Sequence, residues 1–143
     1  MDATPNIFLI TGAALSAIAA ALHVAVIFFG APWYRLFGAG ERMARLAEAG
    51  SRYPTIVTSA IAAVLAGCSL YALSGAGVMA RLPLLRPALC VITAVYLLRG
   101  LVIAPLALLA PGKVTPFWIW SSAICLGFGI VHLIGLSQVW GSL

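Results

Sequence analysis

The chain is poor in charge and poorer still in acid. Of its 143 residues 8% are charged, and only Asp2, Glu41 and Glu48 are acidic. Paired-carboxylate chemistry therefore has no site, and a Ser/His/Asp arrangement has no acid inside an apolar segment to complete it. Histidine is equally scarce. His23 and His132 form no H-x-x-x-H or H-E-x-x-H pattern, and no metal is expected. Cys68, Cys90 and Cys125 all fall in apolar stretches with no C-x-x-C pair, so they read as small buried hydrophobes. The basic residues form no dense patch among aromatics, so no nucleic-acid partner is expected.

What remains is apolar. Hydrophobic residues make up 64% of the chain, against about half in an ordinary soluble domain. A fold of this size has no interior large enough to hide so much apolar surface, so its solvent is expected to be lipid. Four runs approach the roughly 20 residues that cross about 30 Å of hydrocarbon. They cover residues 7–29, 55–73, 84–106 and 117–139. Pro54 opens the second as a first-turn proline, and Trp118, Trp120 and Trp140 mark the ends of the fourth as an aromatic belt does. The N-terminal "MDATPN" lacks the basic residues of a secretory signal, so the first run is expected to be retained.

The most polar segment lies between the first two runs. Leu36, Ala39, Met43, Leu46 and Ala47 recur at helical spacing, with Glu41, Arg45, Glu48 and Arg52 on another face. Glu41–Arg45 and Glu48–Arg52 stand in the favourable i, i+4 order. The pattern predicts a short amphipathic helix over about residues 36–50 lying in the membrane interface. The expected fold is therefore all-α, an antiparallel bundle of four transmembrane helices forming a single domain. Stripes of small residues, Gly12–Ser16–Ala20 and Ser59–Ala63–Gly67, are expected to let helices approach closely. Arg35, Arg42, Arg45, Arg52 and Lys113 fall in the first and third loops, against Arg81 and Arg86 in the second. The positive-inside bias then makes the side of the first and third loops cytoplasmic, with both termini expected to face outward.

Arg99 is the anomaly. It sits inside the third run, where an arginine costs roughly 2.5–3.5 kcal/mol on insertion scales, and no acid lies in any run to neutralise it. Its expected partners are Glu41 or Glu48 reaching in from the interface, His23, hydroxyls, carbonyls freed near Pro105, or a group from outside the chain. His23, Arg99, Glu41 and Tyr96 fall at similar predicted depth and form the candidate ligand-binding layer. His132, Tyr71 and Trp140 form a second, outer polar group. Haem is not expected, because His23 and His132 lie about 15 Å apart along the membrane normal.

The stretches "WYRLFGAGERMARLAEAGS", "YALSGAG", "RLPLLRP", "AVYLLRG" and "FWIWSSAICLGFGIVHLIGL" resemble a family of small bacterial four-span membrane proteins of uncharacterised activity. In size and span count the chain is more loosely similar to the DoxX-like proteins, some of which accompany quinone-linked oxidoreductases. The leading expectation is a non-catalytic membrane protein that binds an anionic or carbonyl-bearing amphiphile, a lipid headgroup or a quinone. It would serve as an accessory subunit to a membrane protein partner or as a homo-oligomer. Two rivals are a small membrane enzyme with His23 as acid–base and an oligomeric transporter with Arg99 facing its pore.

Overall fold

The computed structural model describes residues 4–143, so Asp2 lies outside it. Among the described residues the regular structure is entirely helical. The helices are α1 (Ile7–Phe29), α2 (Ala31–Leu36), α3 (Glu41–Glu48), α4 (Tyr53–Gly75), α5 (Leu85–Leu101), α6 (Ile103–Leu109) and α7 (Pro116–Val139), with a 3-10 turn at Pro111–Lys113. Among the described residues four helical stretches are long and apolar enough to cross a membrane, the third being Leu85–Leu109 taken across the break between α5 and α6. All four carry large apolar side chains that are more than half exposed, among them Ile18, Ile56, Val64, Val91, Leu98 and Ile124. Such faces are untenable in water and suit a hydrocarbon solvent. This is the chemistry of an integral, multi-pass membrane protein.

Local chemistry sets the helix limits. Thr115 caps α7 by accepting the Trp118 N–H at its side-chain oxygen, 3.4 Å away, and Pro116 follows in the first turn. The break between α5 and α6 at Val102 follows from Pro105, which lacks an N–H and crowds the carbonyl of Leu101 four residues back. Of the helix expected over residues 36–50 only α3, Glu41–Glu48, forms, and the separate helix α2 precedes it and ends at Leu36. Between them Gly38 and Gly40 adopt φ of 67° and 98°, left-handed conformations that end one helix and admit the next.

The chain packs as two units, one comprising the described residues up to Leu15 with Cys68–Leu143, the other Ser16–Gly67. In the first unit α5 and α7 run antiparallel. Arg86 meets Trp140, Tyr96 meets His132 and Phe128, and Gly100 lies against Leu126. Numbers rise on one helix as they fall on the other. The start of α1 also runs against α7, with Asn6 Nδ2 donating to Gln138 Oε1 at 2.8 Å and Gly12 beneath the His132 ring. Leu9, Ala76, Leu85, Leu89 and Leu136 form the core of this end. In the second unit the buried Ala44 of α3 packs with Val26, Ala31 and Tyr34, and the Tyr34 hydroxyl meets Thr58 Oγ1 at 3.1 Å.

Arg35 ties α2 to α3. Its guanidinium donates to Glu41 at 2.9 Å from both Nε and Nη2 and to Glu48 at 2.7 Å from Nη1. These bonds raise the Arg35 pKa and hold both carboxyls below their usual range, since hydrogen bonding to Arg35 outweighs their desolvation. A carboxylate whose folded pKa is lowered stabilises the fold above its unfolded pKa of 4.5, and that stability is lost as pH falls through the lower folded value. The α2–α3 hairpin should therefore be intact at neutral pH and loosen only below about pH 4.5. Amide hydrogen exchange over residues 31–48 should show this, with faster exchange on acidification. Glu41→Gln/Glu48→Gln should exchange fast already at pH 7, and an unchanged rate in that variant would break the assignment. These side chains are about half exposed, so salt should also weaken the clasp.

Candidate functional site

Arg99 stands one turn before the break in α5, on the side of that helix turned to α7. Its Nη2 donates to Ser121 Oγ at 2.9 Å and its Nη1 to Ser122 Oγ at 3.2 Å. The guanidinium carbon lies 4.7 Å from the Trp118 ring centroid, over its face. Ser121 and Ser122 sit about one and a half turns into α7, so the three groups meet roughly 8 Å from where that helix begins. Of the internal partners the sequence allows, hydroxyls are the ones the structure supplies.

None of these partners carries charge. The unit that holds Arg99 also holds Arg81, Arg86 and Lys113, and it contains no described acidic residue. In the other unit both Glu41 and Glu48 are taken by Arg35, with Arg45 Nε a further 4.0 Å from Glu41. A guanidinium carries five N–H donors, and two serine oxygens satisfy only two. What Arg99 retains is a full positive charge, spare donors and a flat aromatic wall. That combination suits a phosphate, a carboxylate or a conjugated carbonyl.

The other expected site residues are distributed differently. Tyr96 lies on α5 one turn from Arg99, but its ring packs on α7, edge-on to Phe128 at 5.4 Å and tilted against His132 at 5.2 Å. His23 bonds its own helix, with Nδ1 2.7 Å from the Ala19 carbonyl. The carbonyl can only accept, so Nδ1 carries the hydrogen and Nε2 is the group left for other work. Glu41 belongs to the Arg35 clasp. The residues that sequence reasoning missed are Ser121, Ser122 and Trp118. Their signal was the polar pair in "WIWSSAIC", a break in an apolar run at the depth Arg99 reaches from the neighbouring helix.

The residues of the expected outer polar group, Tyr71, Trp140 and His132, each meet a different partner. The Tyr71 hydroxyl donates to the Pro83 carbonyl at 3.2 Å, in the loop between α4 and α5. Trp140 lies under Arg86, whose guanidinium carbon is 4.3 Å from the ring centroid. His132 is fully buried, its Nδ1 held 2.8 Å from the Phe128 carbonyl. Its Nε2 and Thr93 Oγ1 are buried and meet no hydrogen-bond partner among the described residues. No group of histidine, cysteine and acidic side chains among those residues is arranged to hold a metal ion. Comparison with family models, curated proteins and solved structures returns no match for this chain.

Proposed function

We propose that the protein is an antiparallel bundle of four membrane-spanning helices in a bacterial inner membrane, and that it binds an anionic or carbonyl-bearing amphiphile at Arg99. One observation carries the reading: Arg99 meets two neutral serine hydroxyls and a tryptophan face, in a unit with no described acid. Hydrogen bonds to a charged group contribute about 1.5–3 kcal/mol each, which offsets the expense of placing the guanidinium in hydrocarbon without neutralising it. A phosphate or quinone oxygen would take the spare donors, and Trp118 would flank the headgroup or ring.

The charge count by loop puts the Arg99 end of α5 on the cytoplasmic side and both termini in the periplasm. The α2–α3 segment then lies in the cytoplasmic interface, with Trp33 at headgroup depth. Resemblance to small four-span and DoxX-like proteins fits a subunit that accompanies a larger membrane partner.

The test is chemical analysis of what the purified protein retains. Wild-type protein extracted in mild detergent should carry a stoichiometric lipid or quinone, and Arg99→Ala should lose most of it, about tenfold or more. Lys113→Ala, a loss of charge outside the site, should retain it. Equal retention in Arg99→Ala, or a wild-type protein that carries nothing, would overturn the reading.

A further inference from the structure

Two more arginines lie at the far end of the same helix pair, Arg86 on α5 and Arg81 in the loop before it. The loop between α4 and α5 is tied down rather than loose. Ser74 Oγ donates to the Ala80 carbonyl at 3.0 Å and accepts the Leu82 N–H at 2.9 Å, while Tyr71 holds the Pro83 carbonyl. Leu84 adopts φ of 53°, a left-handed conformation unusual for a leucine, at the point where the loop turns into α5. Strain of this kind persists only where the surroundings impose it. Arg81 and Arg86 both reach the turn that follows α7. Arg81 Nη1 donates to the Ser142 carbonyl at 3.3 Å and Arg86 Nη2 to the Trp140 carbonyl at 2.6 Å.

Those two carbonyls are two residues apart, hence within about 7 Å of each other. Two guanidiniums are thereby gathered on the turn after α7, again in the unit without a described acid. The carbonyls they meet carry only partial negative charge, which two cations exceed. Beside them opens a cavity of about 210 Å³ whose lining includes Ser74, Met79, Arg81, Leu85, Ser142 and Leu143. Met79 and Leu85 supply its apolar lining, and Val78 and Leu84, next to lining residues in the chain, are 52% and 77% exposed.

We propose that this end is a second anion site, which takes the phosphate of an anionic phospholipid at Arg81 with Arg86 adding charge from the same turn. The spare N–H donors of Arg81 face a phosphate ester in the cavity, and Met79, Val78 and Leu84 lie against the upper acyl chain. That apolar rim is what favours a lipid over a free phosphate. The site is independent of the one at Arg99, which lies at the other end of α5.

Native mass spectrometry of delipidated protein in mixed micelles tests it, with phosphatidylglycerol and phosphatidylcholine as probes. Wild-type protein should bind phosphatidylglycerol selectively, and Arg81→Gln/Arg86→Gln should bind it about tenfold more weakly, with phosphatidylcholine unchanged. Glutamine keeps an N–H for those carbonyls, so the fold should survive, as far-UV circular dichroism would show. Met79→Trp, which fills the cavity and leaves both charges, should produce the same loss. Arg99→Gln should leave this binding step intact while abolishing retention at its own site. Undiminished phosphatidylglycerol binding in the double variant would overturn the proposal, as would loss of both steps in Arg99→Gln. Equal competition by millimolar inorganic phosphate would assign the site to a free anion and overturn the lipid.

Discussion

Gly100→Ala should be among the most damaging single substitutions in this protein, although it adds one methyl group. A Cβ at position 100 would lie 2.6 Å from the backbone nitrogen of Leu126 and 2.7 Å from its Cα. Neither atom can move without shifting α7, so the helices must separate. Overpacking a dense interface costs about 1–3 kcal/mol, and the upper part of that range applies where the obstacle is backbone. The same shift would lengthen the Arg99–Ser121 and Arg99–Ser122 bonds, because these residues lie one turn from the contact. Gly127→Ala is the matched control. It sits on α7 beside Leu126, yet an added Cβ there meets no described atom within 4 Å, and alanine is the better helix former. Thermal unfolding in bicelles should show a clear loss for Gly100→Ala and none for Gly127→Ala. If both variants melt with the wild type, the close approach of α5 to α7 is not as described.

That contact also shows what the sequence could and could not reveal. The four long apolar helices were legible because length, hydropathy and the flanking prolines are local properties. Close helix approach is not local. The small-residue stripes singled out Gly12 and Gly67; a Cβ at Gly12 would press on the His132 ring, whereas one at Gly67 meets no described atom within 4 Å. The glycines where α5 meets α7, Gly100 and Gly129, belong to no obvious stripe, and their partners follow only from the antiparallel register of the two helices. The polar loop has the same division. "GAG" at 38–40 is a readable helix breaker, and periodicity alone bridged it too readily. That Glu48 pairs with Arg35 instead of Arg52 depends on how α3 folds back on α2, 13 residues away in sequence. Arg99 was legible as an anomaly, and its hydroxyl partners only as one option among several.

The second large effect concerns that arginine, and its sign separates a structural role from a functional one. If Arg99 is retained for a ligand, the protein without ligand gains nothing from it: the residue carries an insertion cost of roughly 2.5–3.5 kcal/mol that the two serine bonds and Trp118 only offset. Arg99→Met keeps the apolar stem and removes the charge, leaving two small hydroxyls. Ser121 has an alternative acceptor in its own helix, the Trp118 carbonyl at 3.5 Å, so little is stranded. Replacing a poorly compensated buried charge by a hydrophobe of similar length is often neutral or stabilising. The Ser121→Ala/Ser122→Ala variant does the opposite, keeping the charge and deleting both its acceptors. Leaving a charged donor unpaired in a low-dielectric site should remove about 3 kcal/mol or more. Unfolding measured on delipidated protein should therefore rank Arg99→Met at or above wild type and the double serine variant well below it. Added anionic lipid or quinone should raise the melting temperature of the wild type but not of Arg99→Met, since only a species that binds the native state shifts its stability. A structural arginine would give the reverse: Arg99→Met would unfold as readily as the serine variant, and no amphiphile would distinguish it from the wild type.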